Sequence, residues 1–429
     1  ISGDELLQGG LTMAEMKQVA AKFAATGQLD YLSVSAGTYG SLAATQPSWY
    51  FPPGNLVQYA AGIKEVVNIP VITAARIRDP RQAEKVLQDG LADMVGMGRA
   101  LFADPEIPRK AAAGKPEDIR PCIYCNFCFL TGGVTQAAPV LCAVNPDLGR
   151  ERAAAAVKPA ATRKKVLVAG GGPAGLEAAL RAARRGHDVT LCEKDGELGG
   201  QVGMLAKDPN TAELAQIVRY QASQAEKAGV KIMLNALVTP ALVRHMKPDV
   251  VIAATGGRPY LPEVPGAKGK NVVSYWDVLL HPESVGRNVL IVSGQNGFQP
   301  PLTVADFLAE RGHKIEVISE LGFVGFDVER FIRGMLYDRL AKRGVALTAF
   351  TALRAIEGLS ATVVDLYTKK ERKIEGIDTF VMATGTRAED TLYRALGGRA
   401  AGIQAAGDCI APRGLFAAIY EGSLVGDAI

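Results

Sequence analysis

The chain has 429 residues, 48% of them hydrophobic and 21% charged, with a formal net charge of +4. That length predicts about three domains with sizeable cores, and a charge this small leaves no basic footprint for nucleic acid or a membrane surface. No apolar run reaches the ~20 residues of a membrane span and no secretory or lipidation signal is visible; six cysteines in so long a chain fit a reducing, cytoplasmic compartment better than a disulfide framework.

Residues 1–118 read as helices alternating with short strands. Helical periodicity over 13–25 precedes an extended run at 31–34, periodicity over 56–67 precedes one at 69–73, and periodicity over 81–88 precedes one at 94–98. β-Branched runs alternating with amphipathic helices predict a parallel sheet. Three such units are too few to close an eight-stranded (β/α)8 barrel. The last two runs end alike, in Thr73-Ala74-Ala75-Arg76 and Gly96-Met97-Gly98-Arg99. Small residues let backbone amides approach a phosphate, and arginine adds a planar charged fork. The plainer alternative is two ordinary strand ends with solvent-facing arginines.

The densest chemical signal follows. Cys122, Cys125, Cys128 and Cys142 are spaced C-x2-C-x2-C-x13-C, four of the six cysteines within 21 positions. A triplet spaced by two residues with one distant partner suits a [4Fe-4S] cluster. Zinc is the rival, but a four-cysteine zinc ribbon uses two separated pairs.

The runs Asp93-Met-Val-Gly-Met-Gly-Arg99-Ala-Leu-Phe-Ala-Asp104-Pro105 and Ile119-Arg120-Pro-Cys122-Ile-Tyr-Cys125-Asn126, with Val144-Asn145-Pro146, resemble the iron-sulfur flavoproteins related to old yellow enzyme. That family includes trimethylamine dehydrogenase, histamine dehydrogenase and 2,4-dienoyl-CoA reductase. The resemblance implies an α/β chain: the C-terminal part of an FMN-binding (β/α)8 barrel (1–118), an iron-sulfur segment (119–150), a linker (151–164) and two nested Rossmann-like dinucleotide-binding domains. The first of these would be discontinuous (165–285 and 376–429) and the second would interrupt it (286–375). On this alignment Ile1 falls in about the fifth barrel strand, and the first half of the barrel, with the family's catalytic tyrosine and histidine, lies outside the sequence. Ala75, Arg76, Gly98 and Arg99 would then hold the FMN phosphate. Thr38, Tyr39, Trp49 and Tyr50 become substrate-pocket candidates, able to wall a flavin or cap a methylated ammonium by cation–π contact, or simply to pack on the barrel rim. Leu42, Thr45 and Gly132 stand where the trimethylamine enzymes carry substrate-binding residues, so trimethylamine itself is not expected.

Beyond the Ala- and Pro-rich linker, an apolar run at 166–169 leads into Gly170-x-Gly172-Pro173-Ala174-Gly175, a helical pattern, and a second strand ending at Glu193-Lys194. This order is the dinucleotide fingerprint: the glycines permit a tight turn and close pyrophosphate approach, the helix N-terminus faces phosphate, and the acid meets the adenosine ribose. Gly200-Gln201, Thr255-Gly256 and Gly407-Asp408 resemble the plan of the two-dinucleotide-domain flavoprotein reductases, which implies that they complete a site for FAD, or for ADP in its place. Asp408 would approach the ribityl chain, or else act as a helix N-cap. The second fingerprint is degraded. Gly294 and Gly297 are present, but Gln299 occupies the third position, and Pro300 and Pro301 remove two amides. The loop therefore argues against NAD(P)H as the electron partner. Cys192 and Cys409 are isolated and read as core residues, and no C-x4-C follows the first fingerprint, unlike a thioredoxin reductase.

Two activities remain in view. In the first, an N-methylated amine or amino acid is oxidised and electrons leave through the cluster to a carrier such as electron-transfer flavoprotein. In the second, NAD(P)H drives reduction of an enoyl substrate through FAD, cluster and FMN. The C-x2-C-x2-C triplet and the degraded second loop favour the first. A non-catalytic electron-transfer module is the third class, and a homo-oligomer is expected in any case.

Overall fold

The computed structural model describes residues 1–132, 139–294, 300–326, 328–398 and 402–429. The chain divides into two compact units, 1–155 and 156–429.

In the first unit, helix α1 (Met13–Ala25) has the bounds its periodicity predicts, opened by a capping box of Thr12 and Glu15. Strands β1 (Leu32–Val34), β2 (Val71–Thr73) and β3 (Met94–Val95) form one parallel sheet in the order β1-β2-β3, with Leu32 opposite Val71 and Ile72 opposite Met94. Helix α2 (Val57–Lys64) connects the first two strands and α3 (Pro80–Gln88), N-capped by Asp79, the second pair. Their apolar stripes bury Met16, Ala20, Leu32, Val34, Ala60, Ile63 and Val71 in one core. β3 is shorter than expected. It ends at Val95, and Gly98 opens helix α4 (Gly98–Ala103). The run Gly96-Met97-Gly98 leaves the sheet early: two of its three residues have no side chain to pack on the pleated surface, and Met97 packs beside the cluster of Val57, Ile77, Val86 and Ala92.

The second unit begins within the expected linker, whose first part, Glu151–Ala155, is a short helix ending at the unit boundary. Five parallel strands make its first sheet: β4 (Lys165–Ala169), β5 (Asp188–Cys192), β6 (Lys231–Met233), β7 (Val250–Ala253) and β16 (Ile403–Ala405), ordered β16-β7-β4-β5-β6. Helix α5 (Pro173–Arg184) follows β4 and packs against the long C-terminal helix Leu415–Ala428. That approach is close because it uses glycines: a Cβ at Gly422 would stand 2.4 Å from the Ala174 carbonyl oxygen.

The second sheet contains β8 (Val272–Ser274), β9 (Asn288–Ser293), β10 (Lys314–Ser319), β11 (Ala346–Thr348) and β15 (Thr379–Ala383), ordered β11-β10-β9-β15-β8 and parallel throughout. Two of these strands depart from the expected partition. β8 and β15 fall by sequence within 165–285 and 376–429, the span expected for the first nucleotide domain, but they pair in the second sheet. An apolar strand ending in Ala-Thr-Gly occurs in both halves, so the pattern does not say which sheet it joins. A three-stranded antiparallel sheet, β12 (Thr351–Glu357), β13 (Ser360–Asp365) and β14 (Glu371–Ile374), was not anticipated. It packs Leu353, Ile356 and Val363 onto Leu290, Ile318 and Phe380. No helix among the described residues is long and apolar enough to cross a membrane.

Candidate functional site

The first nucleotide cleft is built at the carboxyl end of β4. Gly170 turns with φ 116° and Gly172 N-caps α5, with Pro173 in the helix's first turn. A Cβ at Gly175 would stand 2.0 Å from the Gly170 oxygen, whereas one at Gly172 would meet nothing within 4 Å. The first glycine contact closes helix on loop; the second leaves open the approach that a pyrophosphate needs. Glu193 is buried, and its carboxylate accepts from the Gly171 amide at 2.6 Å and the Asp195 amide at 2.9 Å. Lys194 is exposed. The Gly199 amide donates to the Gly171 oxygen at 2.9 Å, which lays the Gly199-Gly200 turn along the loop. Gln201 donates to Asp408 Oδ2 at 2.8 Å, and burial pushes the Asp408 carboxyl up while this bond opposes it. The Gly407 amide donates to Glu421 at 2.8 Å, and a Cβ on Gly407 would lie 2.8 Å from that of Ala174. Thr255 donates to the Glu389 carbonyl, and Gly256 turns with φ 74°. The fingerprint, the Gly-Gly turn and the C-terminal Gly-Asp thus meet around one cleft. Of the second loop, Gly294 packs against Thr384 and Pro300 opens the helix Pro300–Ala309, while Gly297 and Gln299 lie outside the described residues.

In the first unit the four cysteines Cys122, Cys125, Cys128 and Cys142 line one cavity, with Arg99, Phe102 and Tyr124 also in its wall. Burial pushes the Cys122 and Cys128 thiols up to about 11, the Cys125 thiol well above its ordinary value, and the Cys142 thiol upward as well. Neighbouring thiols add to the rise. Arg99 opposes it at Cys122 and Cys128, and Arg120 opposes it at Cys142. Among the described residues no three His, Cys, Asp or Glu side chains are arranged as a ready metal-ion site. Asp104, buried at the end of α4, accepts from the Arg120 amide at 2.7 Å and from Lys110 Nζ at 2.5 Å. Arg120 in turn donates to the Val144 carbonyl at 2.9 Å, and Asn145 to the Phe102 carbonyl at 2.9 Å. These bonds fasten both ends of the cysteine segment to the helices after β3.

The phosphate candidates lie beside it. Ala75 and Arg76 leave β2 with φ 78° and 52°, both left-handed, so the chain turns sharply there. Arg76 is almost fully buried and donates to the Ser48 carbonyl at 2.6 Å. Arg99 does not extend freely into solvent. It donates to the Pro47 carbonyl at 2.7 Å and to Asn126 Oδ1 at 2.6 Å, while Asn126 donates to the Gln46 carbonyl at 2.8 Å. Gly98 is exposed at the start of α4. Of the substrate-pocket candidates, Thr38 caps a short turn and Tyr39 is 90% exposed, whereas Trp49 is buried with its ring 6.1 Å from that of Tyr50.

Residues 164–413 match the family described as pyridine nucleotide-disulphide oxidoreductase, and residues 1–118 match the NADH:flavin oxidoreductase / NADH oxidase family. The chain belongs to the pyridine nucleotide-disulphide oxidoreductase family, with a flavin oxidoreductase segment ahead of it. It is 39% identical over 80% of its length to an NADH oxidase of Thermoanaerobacter brockii, covering 53% of that protein. It is 33% identical over 98% of its length to an N,N-dimethylglycine/sarcosine dehydrogenase of Chromohalobacter salexigens, covering 67% of it. A solved 2-naphthoyl-CoA reductase superposes over the whole chain with TM-score 0.90 and 32% identity, the chain covering 64% of that structure. The chain thus spans between about half and two thirds of these relatives. The family supplies FMN and FAD or pyridine-nucleotide binding domains, the two classes expected from the sequence.

Within this family pair, several residues that organise the site escape a motif reading. Tyr124 and Asn126 take left-handed backbone at φ 51° and 56° inside the cysteine run, and Arg78 donates to the Cys122 carbonyl at 3.2 Å. Tyr124 and Asn126 lie inside the cysteine run, but nothing in it announces the left-handed turn, and Arg78, 44 residues from Cys122, carries no signal. Gly171 and Glu421, which bind Glu193 and the Gly407 amide, sit one residue and fourteen residues from motif positions and carry no signal of their own.

Proposed function

We propose that this chain is part of an iron-sulfur flavoprotein oxidoreductase that oxidises a small N-methylated amine or amino acid and passes the electrons to an external carrier such as electron-transfer flavoprotein. The observation that carries the reading is the set Cys122, Cys125, Cys128 and Cys142 around one cavity, spaced as a triplet plus one. Buried thiols at raised pKa values are poor isolated thiolates; as ligands they need a compensating positive charge, which metal ions and the nearby Arg99 and Arg120 supply. A four-cysteine zinc ribbon uses two separated pairs, whereas here a triplet faces one distant cysteine. That spacing favours a [4Fe-4S] group over a lone zinc. Such a [4Fe-4S] group supplies one-electron transfer when bound.

FMN is assigned to the strand ends at Ala75, Arg76, Gly98 and Arg99, and the adenine nucleotide, FAD or ADP, to the cleft of Gly170, Gly172 and Gly175. There Glu193 faces the ribose and Asp408 the ribityl end. Relatives named as an N,N-dimethylglycine/sarcosine dehydrogenase and a probable N-methylproline demethylase support the amine class.

A second reading rests on the same scaffold. The second parallel sheet is complete, and the relatives include a cinnamate reductase and the 2-naphthoyl-CoA reductase. In that reading NAD(P)H drives reduction of an activated alkene or aromatic acyl thioester. Anaerobic stopped-flow mixing of the enzyme containing this chain separates them. Flavin bleaching by N,N-dimethylglycine or sarcosine, with none by NADH or NADPH, is the expected outcome. Rapid bleaching by either nicotinamide nucleotide at micromolar concentration refutes the amine reading and establishes the reductase one.

A further inference from the structure

Of the two residues between the first two cysteines, the second is anomalous in three ways. Tyr124 is 2% exposed, adopts φ 51°, and its hydroxyl is buried with no hydrogen-bond partner among the described residues. A bulky side chain in left-handed backbone is an outlier that persists only where its surroundings over-determine it. Those surroundings are cationic. The guanidinium carbons of Arg76 and Arg99 lie 4.6 and 4.7 Å from the ring centroid, and that of Arg78 lies 5.7 Å away. The ring quadrupole attracts each of them. The same turn aims the Tyr124 amide at Cys122 Sγ, 3.4 Å away.

The two consequences converge on one quantity. Reduction potentials of cysteine-bound iron-sulfur groups rise with hydrogen bonds to the sulfurs and with positive charge nearby in a medium of low dielectric. The left-handed turn supplies the first, and the ring gathers the second by holding guanidiniums from the ends of β2 and β3 beside the cysteine cavity. We propose that Tyr124 is a positioning residue that raises the reduction potential of the group bound by these four cysteines. It does so by packing Arg76 and Arg99 against its ring and by fixing an amide on Cys122. This rests on the iron-sulfur reading above. The hydroxyl has no part in it, since no contact of the site uses it.

The test is a potentiometric titration followed by electron paramagnetic resonance on the holoenzyme, with iron and acid-labile sulfide assayed in each sample. Tyr124→Phe keeps ring and turn and should titrate with the wild type. Tyr124→Leu removes the ring, and Tyr124→Gly removes it while relieving the backbone strain. Both should retain iron and show a negative shift of the midpoint. A Leu or Gly midpoint equal to the wild type overturns the proposal, as does a Phe variant shifted as far as Leu. Loss of iron from Leu and Gly while Phe keeps it makes the ring a structural prop of the cysteine segment and overturns the potential-raising role. Loss from all three assigns the role to the hydroxyl and overturns it. Wild-type protein without iron would instead refute the underlying iron-sulfur reading.

Discussion

Gly175→Ala is the sharpest structural perturbation of the nucleotide cleft. The added Cβ would lie 2.0 Å from the Gly170 oxygen, 3.1 Å from its carbon and 3.3 Å from Ala254 Cβ. Real Cβ atoms essentially never approach closer than 3.0 Å, so helix and loop must separate by at least 1.0 Å (3.0 minus 2.0). The obstacle is backbone on both sides, in a turn already committed to φ 116° at Gly170, so no rotamer change relieves it. Overpacking of this kind costs roughly 1–3 kcal/mol. Taking about 2 kcal/mol, the unfolding midpoint should fall by roughly 4–8 °C, and bound adenine nucleotide should be lost because the separated helix no longer presents its N-terminus. Gly172→Ala is the control: its Cβ would meet nothing within 4 Å among the described residues, so stability without nucleotide should hold while retention falls. Differential scanning fluorimetry with and without ADP, plus flavin release by heat, reads both. A Gly175→Ala protein with wild-type midpoint and flavin content refutes the close-packed loop.

Serine at any one of Cys122, Cys125, Cys128 or Cys142 should remove most of the visible absorbance and iron, and stoichiometric zinc in the wild type would defeat the assignment. Arg99→Ala removes the bonds to Pro47 and Asn126 and should release FMN with iron retained; unchanged FMN counts against its role at the phosphate. Asp208 is buried, and burial, Asp306 and Glu310 push its carboxyl up to about 6 against the pull of its bond from the Asn210 amide and of Arg311. A carboxyl raised in the folded state favours folding when protonated. Its contribution is therefore fully present below the unfolded value of about 3.9 and lost as pH rises through about 6. Asp208→Asn keeps the cap acceptor for Asn210 without the charge. It should raise stability above pH 6 by roughly 1–2 kcal/mol after solvent screening and flatten the slope between pH 4 and 6, both read by urea titration across pH.

What the sequence discloses here is what short-range chemistry dictates. α1 is bounded by Thr12 and Glu15, a capping box visible as letters, and its span is read without error. The Gly170 to Gly175 loop is legible because only glycine fits there: a Cβ at Gly175 or Gly170 would meet backbone oxygen at 2.0 Å or 2.3 Å. Long-range choices are not legible. β15 joins the second sheet beside β9 through the register Ile291 to Val381, and nothing in Thr-Phe-Val-Met-Ala distinguishes that sheet from the first. Arg99 illustrates the same limit at the site. Its type and place after a Gly-rich strand end suggest a phosphate, but its bond to Asn126 is 27 residues away in sequence and set by a left-handed turn that the letters do not announce.

The second nucleotide domain shows why an intact fold and an intact ligand site are separate questions. Its sheet order β11-β10-β9-β15-β8 is held by apolar strands whose interior residues Leu290, Ile291, Val317, Phe380 and Val381 are wholly buried, and none of that packing needs a nucleotide. Pro300 and Pro301 start the helix after β9, where missing amides cost the helix nothing because its first turn has no carbonyl to bond. A phosphate, by contrast, would use those same amides. The substitution is silent for stability and adverse for binding. Retention of this domain therefore says nothing for or against NAD(P)H, and the decision falls on direct reduction of the flavin by nicotinamide nucleotides.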